Sequence, residues 1–189
     1  MKLHLMRPVL AVPVLLSLVS MTSGCMRNGP EPEVVPFVDV ERYIGLWHEI
    51  ASNPTFFNLN LVYATAEYDI IEPGVISVLN RGYAWRPDGR ERRIEGRARV
   101  VEPTSNAKLK VQFDTIWGQF FEGDYWIVLL DDEDYQYAVV SDNRQSSMFV
   151  LYREPEMPRA VYEQILADLE AKAIDTSRLR ITGGVADPV

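Results

Sequence analysis

Between Trp47 and Arg153 the chain divides into short stretches in which apolar and polar side chains alternate, each closed by turn residues. Eight can be drawn: Trp47–Ala51, Val62–Ile70, Val75–Ala84, Arg93–Val101, Lys108–Thr115, Tyr125–Leu130, Tyr137–Ser141 and Met148–Arg153. Pro73-Gly74, Pro87-Asp88-Gly89 and the acidic run Asp131–Asp134 separate neighbours. Alternation with period two puts one side of a strand against a core and the other in water, and turns at this spacing make an antiparallel meander, hence a sandwich or barrel. Leu109, Val111 and Phe113 share one face; Ile94, Gly96, Ala98 and Val100 share another. Strands of this kind suit a closed barrel, which leaves no edge unpaired. Eight strands enclose room for packed side chains or for one small ligand. The expected fold is all-β: an eight-stranded antiparallel up-and-down β-barrel with one C-terminal α-helix packed outside. Pro158 suits the helix start. Val161, Ile165, Leu169 and Ala173 recur every four residues, with Tyr162 and Leu166 beside them and an acidic opposite face of Glu163, Asp168 and Glu170.

The N-terminal stretch has another purpose. Lys2 and Arg7 precede an apolar run from Val9 to Val19, followed by small residues and Cys25. A basic start, a short apolar middle and a small-residue exit describe a secretory signal peptide, and the run is shorter than the about 20 residues needed to span a bilayer. Met21-Thr22-Ser23-Gly24-Cys25 resembles a bacterial lipobox, although Thr22 stands where that signal favours leucine. The resemblance implies that Cys25 becomes the lipidated N-terminus. Residues 1–24 are then the signal peptide, 25–38 the lipidated cysteine with a Pro- and Glu-rich flexible tether, and 39–189 the folded domain. Cys25 is the only cysteine, so no disulfide can form within the chain. Removing Lys2 and Arg7 with the signal takes the net charge from −8 to −10. An acidic body argues against nucleic-acid binding and against electrostatic adhesion to anionic lipid. Membrane attachment would rest on acyl chains.

Five ordered stretches carry a family resemblance. Arg42-Tyr43-Ile44-Gly45-Leu46-Trp47-His48-Glu49-Ile50-Ala51 resembles the first-strand signature of lipocalins, and most resembles the bacterial and apolipoprotein D branch. Leu79-Asn80-Arg81-Gly82-Tyr83 and Ile94-Glu95-Gly96-Arg97-Ala98 are similar to further segments of that branch. Tyr137–Asp142 resembles the second lipocalin motif, and Leu151-Tyr152-Arg153 the third. The resemblance spans about Asp39 to Asp175. It implies that Gly45, Trp47 and Arg153 form a barrel signature, with Trp47 plugging one end and Arg153 lying across its ring, a cation–π contact of about 0.5–2 kcal/mol.

The inward register supplies a candidate ligand-binding lining: Ala66, Tyr68, Ile76, Val78, Asn80, Ile94, Ala98, Val111, Phe113, Tyr125, Ile127, Ala138, Val140, Phe149 and Leu151. Small residues at Ala66, Gly96 and Ala98 leave volume, and a mostly apolar cavity suits a hydrocarbon tail. Each buried methylene is worth about 0.8 kcal/mol, so an acyl chain binds without specific chemistry. The expected function is carriage or storage of a fatty acid or lysophospholipid at the bacterial envelope, on the outer membrane and facing the periplasm. A pigment or tetrapyrrole carrier is an alternative. Asn80, Tyr125 and Glu49 are the polar members, free to bond one another, water or a headgroup. An enzyme acting on a lipophilic substrate is a third reading, with Glu49 and Tyr125 its acid–base pair. Two apolar loops, Pro54–Leu59 and Ile116–Phe121, suit a lid, a membrane contact or a homodimer face. No cofactor or metal is expected. His48 is the only histidine besides His4 and should point outward, and no zinc spacing, phosphate-binding glycine loop or nucleophile elbow occurs. The run Asp131–Asp134 reads as a solvated turn.

Overall fold

The computed structural model describes residues 31–55, 58, 60–115 and 122–187. The signal peptide, Cys25, Phe56, Phe57, Leu59 and the loop Ile116–Phe121 lie outside the described residues.

Eight strands follow one another as a meander: β1 Gly45–Ser52, β2 Leu61–Glu72, β3 Val75–Ala84, β4 Glu91–Val100, β5 Lys108–Phe113, β6 Gly123–Leu130, β7 Tyr137–Ser141 and β8 Met148–Tyr152. Each pairs antiparallel with the next, and β8 returns to β1 through His48–Tyr152, Glu49–Leu151, Ala51–Val150 and Ser52–Phe149, which closes the barrel. A bulge between Glu49 and Ala51 resets the alternation of β1, so Ile50 and Ala51 both pack outside while Trp47 packs inside. Gly96 lets β4 and β5 approach with Phe113 across it: a Cβ there would lie 2.5 Å from the Gln112 carbonyl oxygen and 2.9 Å from the Phe113 ring.

The interior and exterior of the barrel build two separate cores. Ala66, Tyr68, Ile76, Val78, Ala98, Val111, Ile127, Ala138, Val140 and Leu151 belong to the inner one. The outer core lies between the barrel wall and a helix, α2, Arg159–Ala171. Tyr162, Ile165 and Leu169 are its buried stripe, set against Ile50, Val128, Val139, Met148 and Val150. The expected last member of that stripe, Ala173, is exposed beyond the helix end with φ 57°, and Ile174 is buried in its place.

The N-terminal tether needs correction. Residues expected to be flexible through position 38 enter the fold: Val35 and Val38 are buried in the inner core, and their amides donate to the carbonyls of Ile127 (2.9 Å) and Ser105 (2.8 Å). The composition is Pro- and Glu-rich, but the valines between those residues add apolar side chains to the inner core at this barrel end. A short helix, α1 Val40–Tyr43, continues that seal, its first turn capped by the Asp39 carboxylate accepting from the amides of Glu41 and Arg42.

The C-terminal segment also joins the structure. β1 and β2 pair only over Gly45–His48 and Thr65–Tyr68 before they part. β10, Arg180–Ile181, pairs with Ala51 and Ser52 of β1, and the Tyr63 amide of β2 donates to the Thr182 carbonyl, so this segment fills the gap. Two short strands, β9 Glu156–Pro158 and β11 Gly184–Ala186, pair in parallel beside α2.

Candidate functional site: the barrel interior

One end of the barrel is closed by side chains. The Arg153 guanidinium lies 3.7 Å from the centre of the Trp47 ring. It also donates to the carbonyls of Arg42 (2.7 Å), Tyr43 (3.2 Å), Ile44 (3.1 Å), Leu46 (3.0 Å) and Tyr135 (3.2 Å). Three of these carbonyls end α1, where a cation is favourable. Gly45, at φ 96°, turns the chain so that Arg153 can pass 3.5 Å from where a Cβ would sit. The Trp47 indole donates to the Tyr43 carbonyl at 2.8 Å.

Above this plug three phenols meet. The hydroxyls of Tyr43 and Tyr125 are 2.8 Å apart, and Tyr125 donates to Tyr68 at 3.1 Å. Burial pushes all three phenols up, Tyr68 to about 12, so each stays neutral at physiological pH. A narrow pocket lined by Val38, Val40, Tyr43, Tyr68, Ile76, Ala98, Asn106, Leu109, Tyr125 and Ile127 has room for about a single water. This end is therefore filled.

Burial falls away toward the other end. Ile76, Val78, Ala98 and Ile127 are buried, whereas the inward residues Asn80, Ile94, Phe113 and Phe149 are half-buried. Register orders these levels: Tyr68–Val78–Gly96–Phe113 on one row, Ala66–Asn80–Ile94 on the next and Gly82–Arg92 beyond it. The Asn80 side-chain oxygen is buried with no hydrogen-bond partner. On the opposite wall, Glu49 accepts from the hydroxyls of Ser52 and Thr182, both at 2.7 Å. Burial pushes its carboxyl up, and those two hydrogen bonds pull part of the way back.

The fifteen expected lining residues thus share one interior. Ten are buried in the inner core, Phe113, Tyr125 and Phe149 pack against it half-buried, and Asn80 and Ile94 stand nearer the exposed end. Glu49 and Tyr125 are not joined as an acid–base pair: Tyr125 bonds Tyr43 and Tyr68, Glu49 bonds Ser52 and Thr182. Among the described residues no cluster of three or more His, Cys, Asp or Glu side chains could hold a metal ion. The sequence reading missed Val35, Val38, Tyr43 and Asn106 at the closed end, and did not carry the inward register of β4 as far as Arg92. Extending the period-two count of β4 by one pair would have found Arg92.

The family model for the lipocalin-like domain matches residues 38–183. The outer membrane lipoprotein Blc of Vibrio cholerae is 35% identical over 157 residues, covering 83% of this chain and 89% of the relative. Apolipoprotein D of Oryctolagus cuniculus is 30% identical over 189 residues, covering 95% and 96%. Among solved structures, apocrustacyanin C1 superposes with a TM-score of 0.60 at 17% identity, over 78% of this chain and 81% of that one. The closed eight-stranded meander, the Trp47–Arg153 plug and these matches lead to one conclusion: the chain belongs to the lipocalin family.

Proposed function

We propose that this protein binds a fatty acid or lysophospholipid, tail inward, in the barrel, and carries or stores it at the bacterial envelope. The observation that carries the reading is the gradient of burial along the inner wall. Apolar side chains are sealed at the α1 end and half-buried toward the other, which is the profile of a cup with a dry base. A linear acyl chain fits such a wall because it gains burial along its whole length and asks for few polar partners. That Glu49 and Tyr125 are each engaged elsewhere supports binding rather than chemistry. The similarity to Blc, named an outer membrane lipoprotein, supports attachment through Cys25 to the outer membrane; a periplasm-facing barrel is part of the same proposal. No described helix is long and apolar enough to cross a membrane.

The test is direct. Protein purified from a bacterial host without added lipid is extracted with organic solvent and analysed by mass spectrometry. A fatty acid or lysophospholipid near stoichiometric amount is the expected result, together with displacement of the neutral fluorophore N-phenyl-1-naphthylamine by oleate. An extract without lipid and no displacement would reject the reading, and a visible absorbance band in the native protein would replace it with a pigment carrier.

A further inference from the structure

We infer that Arg92 and Asn80 form a cradle for the anionic headgroup of the ligand at the exposed end of the barrel. The inference rests on the proposed function and adds the charge that the ligand must carry.

Charge is unevenly spread in this acidic protein. From Arg81 to Arg99 the β3–β4 pair holds seven arginines against Asp88, Glu91 and Glu95, while the whole chain has net charge −8. Three of these arginines are paired on the outer wall: Arg81 with Glu67 at 3.1 Å, Arg93 with Glu95 at 2.5 Å and Arg99 with Glu122 at 3.3 Å. Arg90, Arg92 and Arg97 have no carboxylate partner among the described residues. Of the two within β4, Arg97 has outward register, whereas Arg92, exposed, two positions from the inward Ile94 and opposite Gly82, falls on the inner face.

Its neighbours across the strand are small: Gly82 has no side chain and packs closely on Ala64, where an added Cβ would stand 3.3 Å from the Ala64 Cβ, so no bulky side chain of that wall covers Arg92. One pair deeper lies Asn80, whose buried side-chain oxygen lacks a partner. An orphaned buried amide oxygen costs stability unless something bonds its side chain. Swinging the amide to present its NH2 group would give a headgroup oxygen a second donor beneath the guanidinium. Deeper still the wall is apolar, with Val78, Ile76 and Ala98 in the same inward set. A cation and an amide at the rim of a dry tube fit a molecule with a negative head and a hydrocarbon tail. The shared headgroup chemistry is an oxyanion, either a carboxylate or a phosphate.

The full-length protein, wild type and Arg92→Gln, is loaded with N-phenyl-1-naphthylamine and titrated with oleate, 1-oleoyl-lysophosphatidate and oleyl alcohol at low ionic strength. Because a charge-assisted hydrogen bond is about twice as strong as a neutral one, Arg92→Gln should weaken the two anionic lipids about tenfold and leave the alcohol within about twofold. Loss confined to oleate assigns the cradle to carboxylates, and loss confined to lysophosphatidate assigns it to phosphates. Asn80→Leu separates fold from binding: it should hold or raise thermal stability while weakening the anionic lipids. Equal affinity of wild type and Arg92→Gln for both anions overturns the cradle and leaves the lipid-binding reading standing. If none of the three lipids displaces the fluorophore from either protein, both fail.

Discussion

At the scale of single residues, half-buried Arg153 and buried Glu49 show two ways an ionisable group is held in this fold. The Arg153 fork meets five backbone carbonyls and one indole face, a geometry that a lysine ammonium cannot reproduce. Arg153→Lys should therefore cost about 1–2 kcal/mol of folding stability, since several partly buried carbonyls lose their donor; equal urea midpoints for the two proteins would refute the account. Glu49 behaves oppositely. With its carboxyl pushed up by burial, the folded chain keeps a proton that the unfolded chain surrenders above about pH 4.3. Its contribution is full below that pH and is lost as pH rises toward the folded value. Glu49→Gln, which stays neutral and can still accept from Ser52 and Thr182, should match wild type near pH 4 and exceed it at pH 8 in urea denaturation. A wild-type protein that gains on the variant as pH rises would contradict this. Trp47 and Arg153 were legible in the sequence through their motifs. The partners of Glu49 were not, because Thr182 lies 133 positions away and reaches Glu49 only through the closing segment.

At the scale of elements, the strands were readable because a half-buried strand writes its environment into every second residue. Val75–Ala84 and Tyr137–Ser141 have the observed ends, and the other six differ only near their termini. What periodicity cannot signal is a segment too short to have a period. α1, β9, β10 and β11 have two to four residues each; the three strands exist only through their pairing partners, and α1 through one local cap. Val35 and Val38 escaped for the same reason, being isolated apolar residues in a polar stretch. Removing two methyl groups from a fully buried valine forfeits about 1–2 kcal/mol, so Val38→Ala should lower the thermal midpoint by several degrees. A tether predicts no change, and calorimetry separates the two.

At the scale of the whole molecule, the fold was legible in the eight alternating stretches, and the lipobox-like end at Cys25 leads to a prediction about attachment. Cys25→Ala should move the protein from the membrane pellet to the soluble periplasmic fraction after cell lysis and ultracentrifugation, with far-UV circular dichroism unchanged. Persistence in the pellet would mean that the barrel itself adheres. The arginine-rich β3–β4 pair makes that comparison informative, because the overall negative charge hid a local positive wall from a reading based on net charge alone.

The stopper made by α1, Trp47 and the tyrosines has a kinetic corollary. A vessel sealed at its base has one doorway, so cargo cannot pass through it as through a pipe. On the proposed function, a lipid that enters tail first must back out head first, past the same rim. Transfer between two membranes would then require the protein to let go of the donor, turn and present that rim to the acceptor, with throughput set by encounters and emptying rather than by flow.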